Sequence, residues 1–196
     1  MCDATGTLDD DKKIVLASGS PRRRELLTQL GYQFDIVVPN VEECRNKHEA
    51  PAAYVERLSR DKALAGVALS NPASIVIGSD TIVVQGETVL EKPADFAQAQ
   101  QMLRSLSGTK HQVMTAVTVA THDHSKSVVV TTDVWFKPLS DEEIEQYWQS
   151  GEPCDKAGSY GIQGLGGRFV TKIEGSYYAV VGLPLFETDQ LLHEFI

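Results

Sequence analysis

The feature that most constrains the fold is a strand, a turn and a helix that follow one another near the start of the chain. Residues 14–17 form an apolar run that turns polar at residues 18–20, as a buried strand does where it leaves a sheet. Ser20 is a good helix N-cap, Pro21 suits the first helical position, and a leucine stripe then continues until Gly31. The sequence therefore predicts a strand connected to a helix by a very short turn, residues 18–20.

Strands and helices continue to alternate along the chain. The spacing of apolar residues predicts strands at residues 34–38, 74–78, 112–120, 127–136, 168–173 and 177–181, and helices at residues 52–69, 94–106 and 141–148 and from residue 184. A hairpin is predicted at residues 83–90, and no regular element is expected at residues 158–167. Strands connected in this way cannot all be parallel, so we expect an α/β fold with a mixed, mainly antiparallel sheet flanked by helices.

The length of the chain requires no second domain. Its 196 residues fit one domain or a single two-lobed unit. We expect residues 1–12 to form a flexible acidic leader and residues 13–196 to form that unit, since the first residues have neither a basic nor an apolar signal region. The three cysteines are widely spaced and fit free thiols better than disulfides, which predicts a cytoplasmic protein.

The formal net charge of −9 limits the partners of this protein. An acidic chain is not attracted as a whole to nucleic acid or to an anionic membrane, and no stretch approaches membrane-spanning length. We therefore expect neither nucleic acid nor a membrane as a partner. Any anion must be bound by a local group of basic residues.

Three consecutive arginines, at positions 22 to 24, form such a group in the first turn of the first predicted helix. The helix dipole is positive there, so each cation costs roughly 0.3–1 kcal/mol unless an anion is bound. The backbone N–H groups of residues 18–20 already favour an anion. This pattern predicts a phosphate site, with a solvated basic turn as the alternative.

Two other charged residues lie at positions where the pattern of the fold favours apolar side chains. On a helical wheel, Lys62 falls within the apolar stripe that runs from Val55 to Leu69, although a lysine can extend along such a stripe to reach solvent. Asp80 interrupts an apolar strand, where a turn-forming aspartate is the alternative. Ligands and catalytic groups lie beyond strand ends in α/β sheets, so Asp80 is a candidate metal ligand or base.

The predicted hairpin brings Lys92 close to Asp80. With the turn at residues 86–87, the register pairs Thr81 with Lys92 and places Glu91 diagonal to Asp80 on the same face. Distortion is expected at this edge of the sheet. We therefore predict that the two residues are near each other, without predicting which way they face.

Three remaining features have a structural interpretation. The glycine-rich segment at residues 161–167 lacks the spacing of a dinucleotide fingerprint or a P-loop, and we interpret it as a flexible wall of a pocket. His122 and His124 lie in a polar turn between strands, which favours a solvated turn over a metal pair. Glu42 and Glu43 could bind a cation, yet an acidic pair usually lies on the surface.

Several motifs follow one another in order along the chain. They are LASGSPRR at residues 16–23, EE at 42–43, KA at 62–63, GSDT at 78–81 and EKP at 91–93, followed by KHQVMT at 110–115, DKAGSYGIQG at 155–164 and GSY at 175–177. Taken together, these motifs resemble the Maf family of nucleoside triphosphate pyrophosphatases. The resemblance spans nearly the whole chain beyond the leader.

The resemblance implies a two-lobed catalytic domain of the inosine-triphosphatase type, often a homodimer, with a central cleft for nucleotide and metal. It implies that Asp80 is the catalytic aspartate and that Arg22, Thr81 and Gln163 lie at positions linked to base selection. Asp-Thr at residues 80–81 and Ile-Gln-Gly at residues 162–164 resemble the branch that acts on dTTP and UTP.

These residues together suggest a chemistry. The residues expected to hold the triphosphate are Ser18, Ser20, Arg22 and Arg23. Lys62 and Lys92 would neutralise phosphate charge, while Asp80 activates a water. A divalent cation, Mg²⁺ or Mn²⁺, would be bound by Asp80 and Glu43 together with phosphate oxygens. The expected products are the monophosphate and pyrophosphate.

Two other functions fit the same pocket. A nucleotide-sensing protein, acting for example in cell-division control, would bind the nucleotide without chemistry. A phosphatase or phosphotransferase that attacks the γ-phosphorus would leave a diphosphate. The sequence also leaves open whether the substrate is a normal or a modified pyrimidine nucleotide.

Overall fold

A computed structural model describes residues 12–196 of the chain. The predicted leader, residues 1–12, lies outside the described residues except for Lys12. The described part forms a seven-stranded sheet with helices packed against it. None of the helices in residues 12–196 is long and apolar enough to cross a membrane.

The sheet is mixed, as predicted. Its strands are β1 (Ile14–Ala17), β2 (Phe34–Val37), β3 (Ile75–Gln85), β4 (Thr88–Leu90), β5 (Lys110–Ala120), β6 (Ser125–Phe136) and β7 (Val170–Glu174). Their order is β2-β1-β3-β5-β6-β7, with β4 paired to β3. Strand β1 is parallel to β2 and to β3, and every other pairing is antiparallel, which confirms the prediction of a mainly antiparallel sheet.

Six α-helices flank the described sheet. They are α1 (Pro21–Gln29), α2 (Pro51–Ala68), α3 (Phe96–Leu106), α4 (Asp141–Gln149), α5 (Tyr177–Val181) and α6 (Leu185–His193). The predicted start of α1 is confirmed, since the Ser20 side chain accepts a hydrogen bond from the Arg23 backbone nitrogen and Pro21 is the first helical residue. Ser140 caps α4 through a full capping box with Glu143.

Two predictions near the C-terminal end of the chain are wrong. Residues 177–181 form helix α5, because Ser176 caps the Ala179 nitrogen and Gly182 ends the helix, although aromatic and β-branched residues suggested a strand. Residues 158–167 are not free of regular structure: 3₁₀ helices lie at Ala157–Ser159 and Leu165–Phe169, so β7 begins two residues later than predicted.

Two hydrophobic cores lie at opposite ends of the long strands β3 and β5. Ile77 and Val119 belong to a core beneath α1 and α6, whereas Val83 and Val113 belong to a core beneath α3 and α4. This arrangement is consistent with the predicted two-lobed form. The stretch of β3 between the two cores contains Asp80, which lies where the lobes meet.

Candidate functional site

A cleft of about 960 Å³ opens between the two cores. Its walls come from the turn after β1, the start of α1, the middle of α2, the centre of β3 and the glycine-rich segment. All ten residues selected from the sequence line it: Ser18, Ser20, Arg22, Arg23, Glu43, Lys62, Asp80, Thr81, Lys92 and Gln163. The cleft therefore brings the arginine-rich helix start and Asp80 to one surface, while the role of each residue stays a prediction.

Arg23 connects the start of α1 to β3. Its Nε donates to the Gly182 carbonyl at 2.8 Å, and its Nη2 donates to Thr81 Oγ1 at 3.1 Å. Burial lowers the pKa of the Arg23 guanidinium, while the charge of Asp80 acts in the opposite direction. Part of the hydrogen-bonding capacity of Arg23 is thus used by the protein itself, and the side chain is fixed at the wall of the cleft.

The turn before α1 is also held by its own side chains. The Ser20 nitrogen donates to Ser18 Oγ at 3.1 Å, and the Arg23 nitrogen donates to Ser20 Oγ at 3.4 Å. Ser18 follows β1, and its position is set by the pairing of that strand with both β2 and β3. The start of α1 therefore faces the cleft in a defined conformation, which is the requirement for an anion site built from backbone N–H groups.

Lys62 lies between two carboxylates. Its Nζ is 2.6 Å from Asp80 Oδ1 and 2.8 Å from Glu43 Oε1. The Lys62 side chain is only 15% exposed, which explains why it occurs among apolar positions of α2. The predicted stripe is wrong at its end, since Leu69 is 61% exposed and Gly66 faces the sheet instead.

Asp80 is a buried carboxylate within a continuous strand. It pairs with Ala116 of β5, and only 7% of the residue is exposed. Burial raises the pKa of the Asp80 carboxyl, although the cations of Lys62 and Arg23 act in the opposite direction. A carboxylate with a raised pKa is a better proton acceptor than an ordinary aspartate, which suits a general base.

The pKa of Glu43 is shifted in the opposite direction from that of Asp80. Burial alone would raise the pKa of Glu43, but the hydrogen bond and charge of Lys62 outweigh it, so the pKa is lowered. Glu43 lies on the segment between β2 and α2, whose carbonyl at residue 43 accepts a hydrogen bond from Tyr54 Oη at 3.3 Å. The acidic pair at residues 42–43 is thus exposed, as expected, yet one member faces the cleft.

The hairpin is confirmed, but its ladder ends earlier than expected. Strand β3 pairs with β4 as far as Val83 and Leu90, and the predicted pair of Thr81 with Lys92 is not formed. Beyond Leu90 the chain binds another segment, because the Gly158 nitrogen donates to the Glu91 carbonyl at 3.3 Å. Lys92 still lines the cleft.

Several cleft residues were not selected from the sequence. Glu91, Tyr54, Glu152, Asp155 and Lys156 line the cleft as well. Burial and the nearby charges of Asp80 and Glu43 raise the pKa of Glu91. The hairpin register already placed Glu91 beside Asp80, and Lys156 belongs to the motif at residues 155–164, but no sequence signal linked Glu152 to the site.

The two histidines at positions 122 and 124 lie away from the cleft, in the turn between β5 and β6. Both are exposed, and His124 stacks on Phe195 with ring centroids 4.6 Å apart. Within residues 12–196, no group of three or more His, Cys, Asp or Glu side chains is arranged to hold a metal ion. The interpretation of this segment as a solvated turn agrees with its exposure.

The carboxylates of Asp80 and Glu43 are the candidates for binding a cation together with a substrate. Both present oxygen atoms, the ligand type that Mg²⁺ and Mn²⁺ prefer. Both carboxylates contact Lys62 Nζ, at 2.6 Å for Asp80 and 2.8 Å for Glu43, so they face the same part of the cleft. Two protein ligands leave the remaining coordination positions to phosphate oxygens and water, which is the usual arrangement for Mg²⁺ in nucleotide sites.

Comparison with known proteins adds independent information. A solved structure of the Ham1 protein from Staphylococcus aureus matches 63% of this chain and 71% of its own, with 17% identity and a TM-score of 0.47. A family model described as Maf-like protein matches residues 13–195. A dTTP/UTP pyrophosphatase of Vibrio cholerae is 74% identical over 93% of this chain and 98% of its own length. Another dTTP/UTP pyrophosphatase, of Vibrio vulnificus, is 71% identical over 94% of this chain and 99% of its own.

Proposed function

This chain belongs to the Maf family, and from that premise we propose that it is a nucleoside triphosphate pyrophosphatase that hydrolyses dTTP and UTP to the monophosphate and pyrophosphate. The observation that carries the proposal is that Asp80 and the start of α1 line one cleft. The names of relatives that are 71–74% identical support the choice of substrate.

The triphosphate binds at the cationic side of the cleft. Arg22, Ser18 and Ser20 lie around the start of α1, whose N–H groups and dipole favour an anion. Arg23 is already fixed by Gly182 and Thr81, so it contributes a positioned charge without losing further side-chain freedom. Lys92 adds a third cation from the segment after β4.

Asp80 removes a proton from the attacking water. The water oxygen forms a bond to the α-phosphorus, the bond from that phosphorus to the bridging oxygen breaks, and pyrophosphate leaves with the electron pair. The water proton goes to the Asp80 carboxylate. Lys62 leaves its partners in part to meet the phosphates, and its charge there stabilises the negative charge that develops on the leaving group.

The residues that would hold a divalent cation are Asp80 and Glu43. Bound there with phosphate oxygens, Mg²⁺ or Mn²⁺ would polarise the α-phosphate and lower the pKa of the attacking water. The low pKa of Glu43 keeps that carboxylate ionised at neutral pH, as a ligand must be.

The setting of the enzyme follows from the same premise. We expect it to act in the cytoplasm, where its exposed free thiols Cys44 and Cys154 stay reduced. We also expect a homodimer, as in the family, and a substrate pool that includes modified pyrimidine nucleotides. The net charge of −9 supports the expectation that neither nucleic acid nor a membrane is a partner.

A panel of nucleotides tests the proposed function. The purified full-length protein is incubated with dTTP, UTP, CTP, dATP or GTP and with Mg²⁺ or Mn²⁺, and the products are separated by chromatography. We expect dTMP and UMP together with pyrophosphate, over many turnovers, and no product after addition of EDTA. A diphosphate product would indicate attack at the γ-phosphorus, and binding without turnover would indicate a nucleotide sensor.

A further inference from the structure

The glycine-rich segment at residues 161–167 is wrapped around a single carboxylate, that of Glu152. Glu152 Oε1 accepts hydrogen bonds from Tyr147 Oη at 2.6 Å and from the Gly166 nitrogen at 3.1 Å. Glu152 Oε2 accepts one from the Leu165 nitrogen at 2.8 Å. The Gly161 nitrogen donates in turn to Tyr147 Oη at 3.2 Å. The segment is therefore tied at both ends to one pair of side chains.

The glycines in this segment are required by close contact. A Cβ atom at Gly164 would collide with the Glu152 carboxylate, and one at Gly166 would lie 2.6 Å from Tyr147 Oη. Neither glycine has the positive φ angle that would itself demand glycine. The glycines at positions 164 and 166 thus reflect backbone packed against Glu152 and Tyr147, which form this part of the cleft wall.

Glu152 carries its negative charge inside this packing. Burial alone would raise the pKa of Glu152, but the hydrogen bonds from Tyr147, Gly166 and Leu165 outweigh it and the pKa is lowered. Hydrogen bonds to a charged acceptor are stronger than those between neutral groups. The side chain therefore restrains the segment more firmly than turn geometry alone.

Gln163 lies at the centre of this segment and lines the cleft. Its side chain is exposed and makes no hydrogen bond to another residue in the part of the chain that the structure describes. The place of Gln163 is consequently set by its backbone, and that backbone is held two and three residues later by Glu152.

We propose that Glu152 is a positioning residue for base selection, which holds the segment at residues 161–167 so that Gln163 meets the pyrimidine ring. This inference rests on the proposed function, because it assumes a pyrimidine nucleotide in the cleft. We assign Glu152 no role at the reacting atoms. It acts through the Leu165 and Gly166 nitrogens and through Tyr147.

The test is Glu152→Gln, with Glu145→Gln as the matched control. A glutamine must turn its NH₂ group toward at least one of the three donors that the carboxylate accepts from, so the segment loosens while the side-chain volume is kept. Glu145 lies on α4 and is exposed, so the control makes the same charge change away from the cleft.

We expect Glu152→Gln to raise KM for dTTP and UTP about tenfold, to change kcat less than about threefold, and to reduce the preference for these nucleotides over CTP. Tyr147→Phe removes one donor and is expected to move KM in the same direction by about threefold. A purely structural role would instead lower kcat equally for every nucleotide, through loss of folded protein, and leave KM unchanged.

Nucleotide binding provides a second measurement that does not require turnover. Calorimetric titration with an α,β-imido analogue of dTTP should show the same loss of affinity in Glu152→Gln and none in Glu145→Gln. Unchanged KM, affinity and base preference in both Glu152→Gln and Tyr147→Phe would overturn the inference alone. If the wild-type protein neither binds nor hydrolyses dTTP, the proposed function itself fails.

Discussion

At Asp80, burial and charge act in opposite directions on one carboxyl group. Burial raises the pKa of Asp80, and the cations of Lys62 and Arg23 partly restore the ionised form. The result is a carboxyl group with a raised pKa, which accepts a proton more readily than an exposed aspartate. Asp80 therefore has the raised proton affinity that suits a general base, and its Lys62 partner connects it to Glu43.

We predict that Asp80→Asn lowers kcat for dTTP at least about 100-fold, because the amide cannot accept the proton from water. Without a divalent cation, the dissociation constant for the nucleotide should change less than about threefold, since Arg22, Arg23 and Lys92 are untouched. Steady-state kinetics and calorimetric binding provide the two measurements. Asp123→Asn, in an exposed turn, is the control. Full activity in Asp80→Asn would exclude this residue from the mechanism.

The sequence shows which residues are unusual at their positions, but it does not show which hydrogen bonds or ion pairs they form. Lys62 could be recognised because a charge stood among apolar positions of a helix. Its bonds to Glu43 and Asp80 join residues that are far apart in the chain, and no local pattern specifies them. Arg23 shows the same limit, since its contact with Gly182 spans 159 residues.

At the scale of elements, the close approach of α2 to β3 is what brings Lys62 to Asp80. Gly78 lies on β3 beneath α2, and a Cβ there would lie 2.5 Å from the Ala63 nitrogen and collide with the Ser59 carbonyl. A buried hydrogen bond of 2.7 Å between Ser59 and Thr118 fixes the same face of the helix to β5. Any side chain at position 78 must therefore push the helix away from the sheet.

We predict that Gly78→Ala destabilises the protein by about 3 kcal/mol or more, because the added methyl group meets backbone atoms that cannot rotate away. The free energy of unfolding is measured by urea denaturation followed by circular dichroism. Gly19→Ala is the control, since its Cβ would lie 3.5 Å from the Val38 side chain, an ordinary contact distance. Equal stability of the two variants would contradict this view of the interface.

Elements with strong local signals were predicted well, and those that depend on their surroundings were not. The hairpin turn, the start of α1 and the cap of α4 follow from residues within a few positions of one another. Helix α5 has a strand-like composition, and it is a helix because Thr115 Oγ1 of β5 donates to the Ala179 carbonyl at 2.6 Å and Ser176 caps its start. The hydrogen bond from Thr115 comes from another element, so the sequence around α5 does not predict it.

At the scale of the whole molecule, the cleft exists because two cores share β3 and β5. Residues near positions 18, 80 and 163 reach the same surface from three separate parts of the chain. Hydrophobic periodicity predicts the strands but not their order, so the meeting of these residues could be expected only from the family resemblance. In the strand order β2-β1-β3-β5-β6-β7, β1 is next to β3, so the residues that follow β1 lie near Asp80.

The stability of the whole molecule should depend on pH through His111, which is buried in the core beneath α3 and α4. Only 2% of the residue is exposed, and it packs edge-on against Phe136 and Tyr160. Burial lowers the pKa of His111 from 6.5 to about 4. Between these two pH values the unfolded chain binds a proton that the folded chain does not. The contribution of His111 to the free energy of unfolding is therefore fully present above pH 6.5 and is lost as the pH falls toward 4.

We predict that this single histidine removes about 2 kcal/mol of unfolding free energy between pH 7 and pH 5, since one pKa unit corresponds to about 1.4 kcal/mol. Urea denaturation of the wild type and of His111→Gln at both pH values measures it. The unfolding free energy of the variant at pH 7 differs from that of the wild type, because Tyr160 loses its 2.7 Å hydrogen bond. The decrease in this free energy from pH 7 to pH 5, the acid loss, should nevertheless be smaller in the variant than in the wild type by the amount given above. His122→Gln, at an exposed position, should keep the wild-type loss. An equal acid loss in His111→Gln and the wild type would show that His111 is not the group responsible.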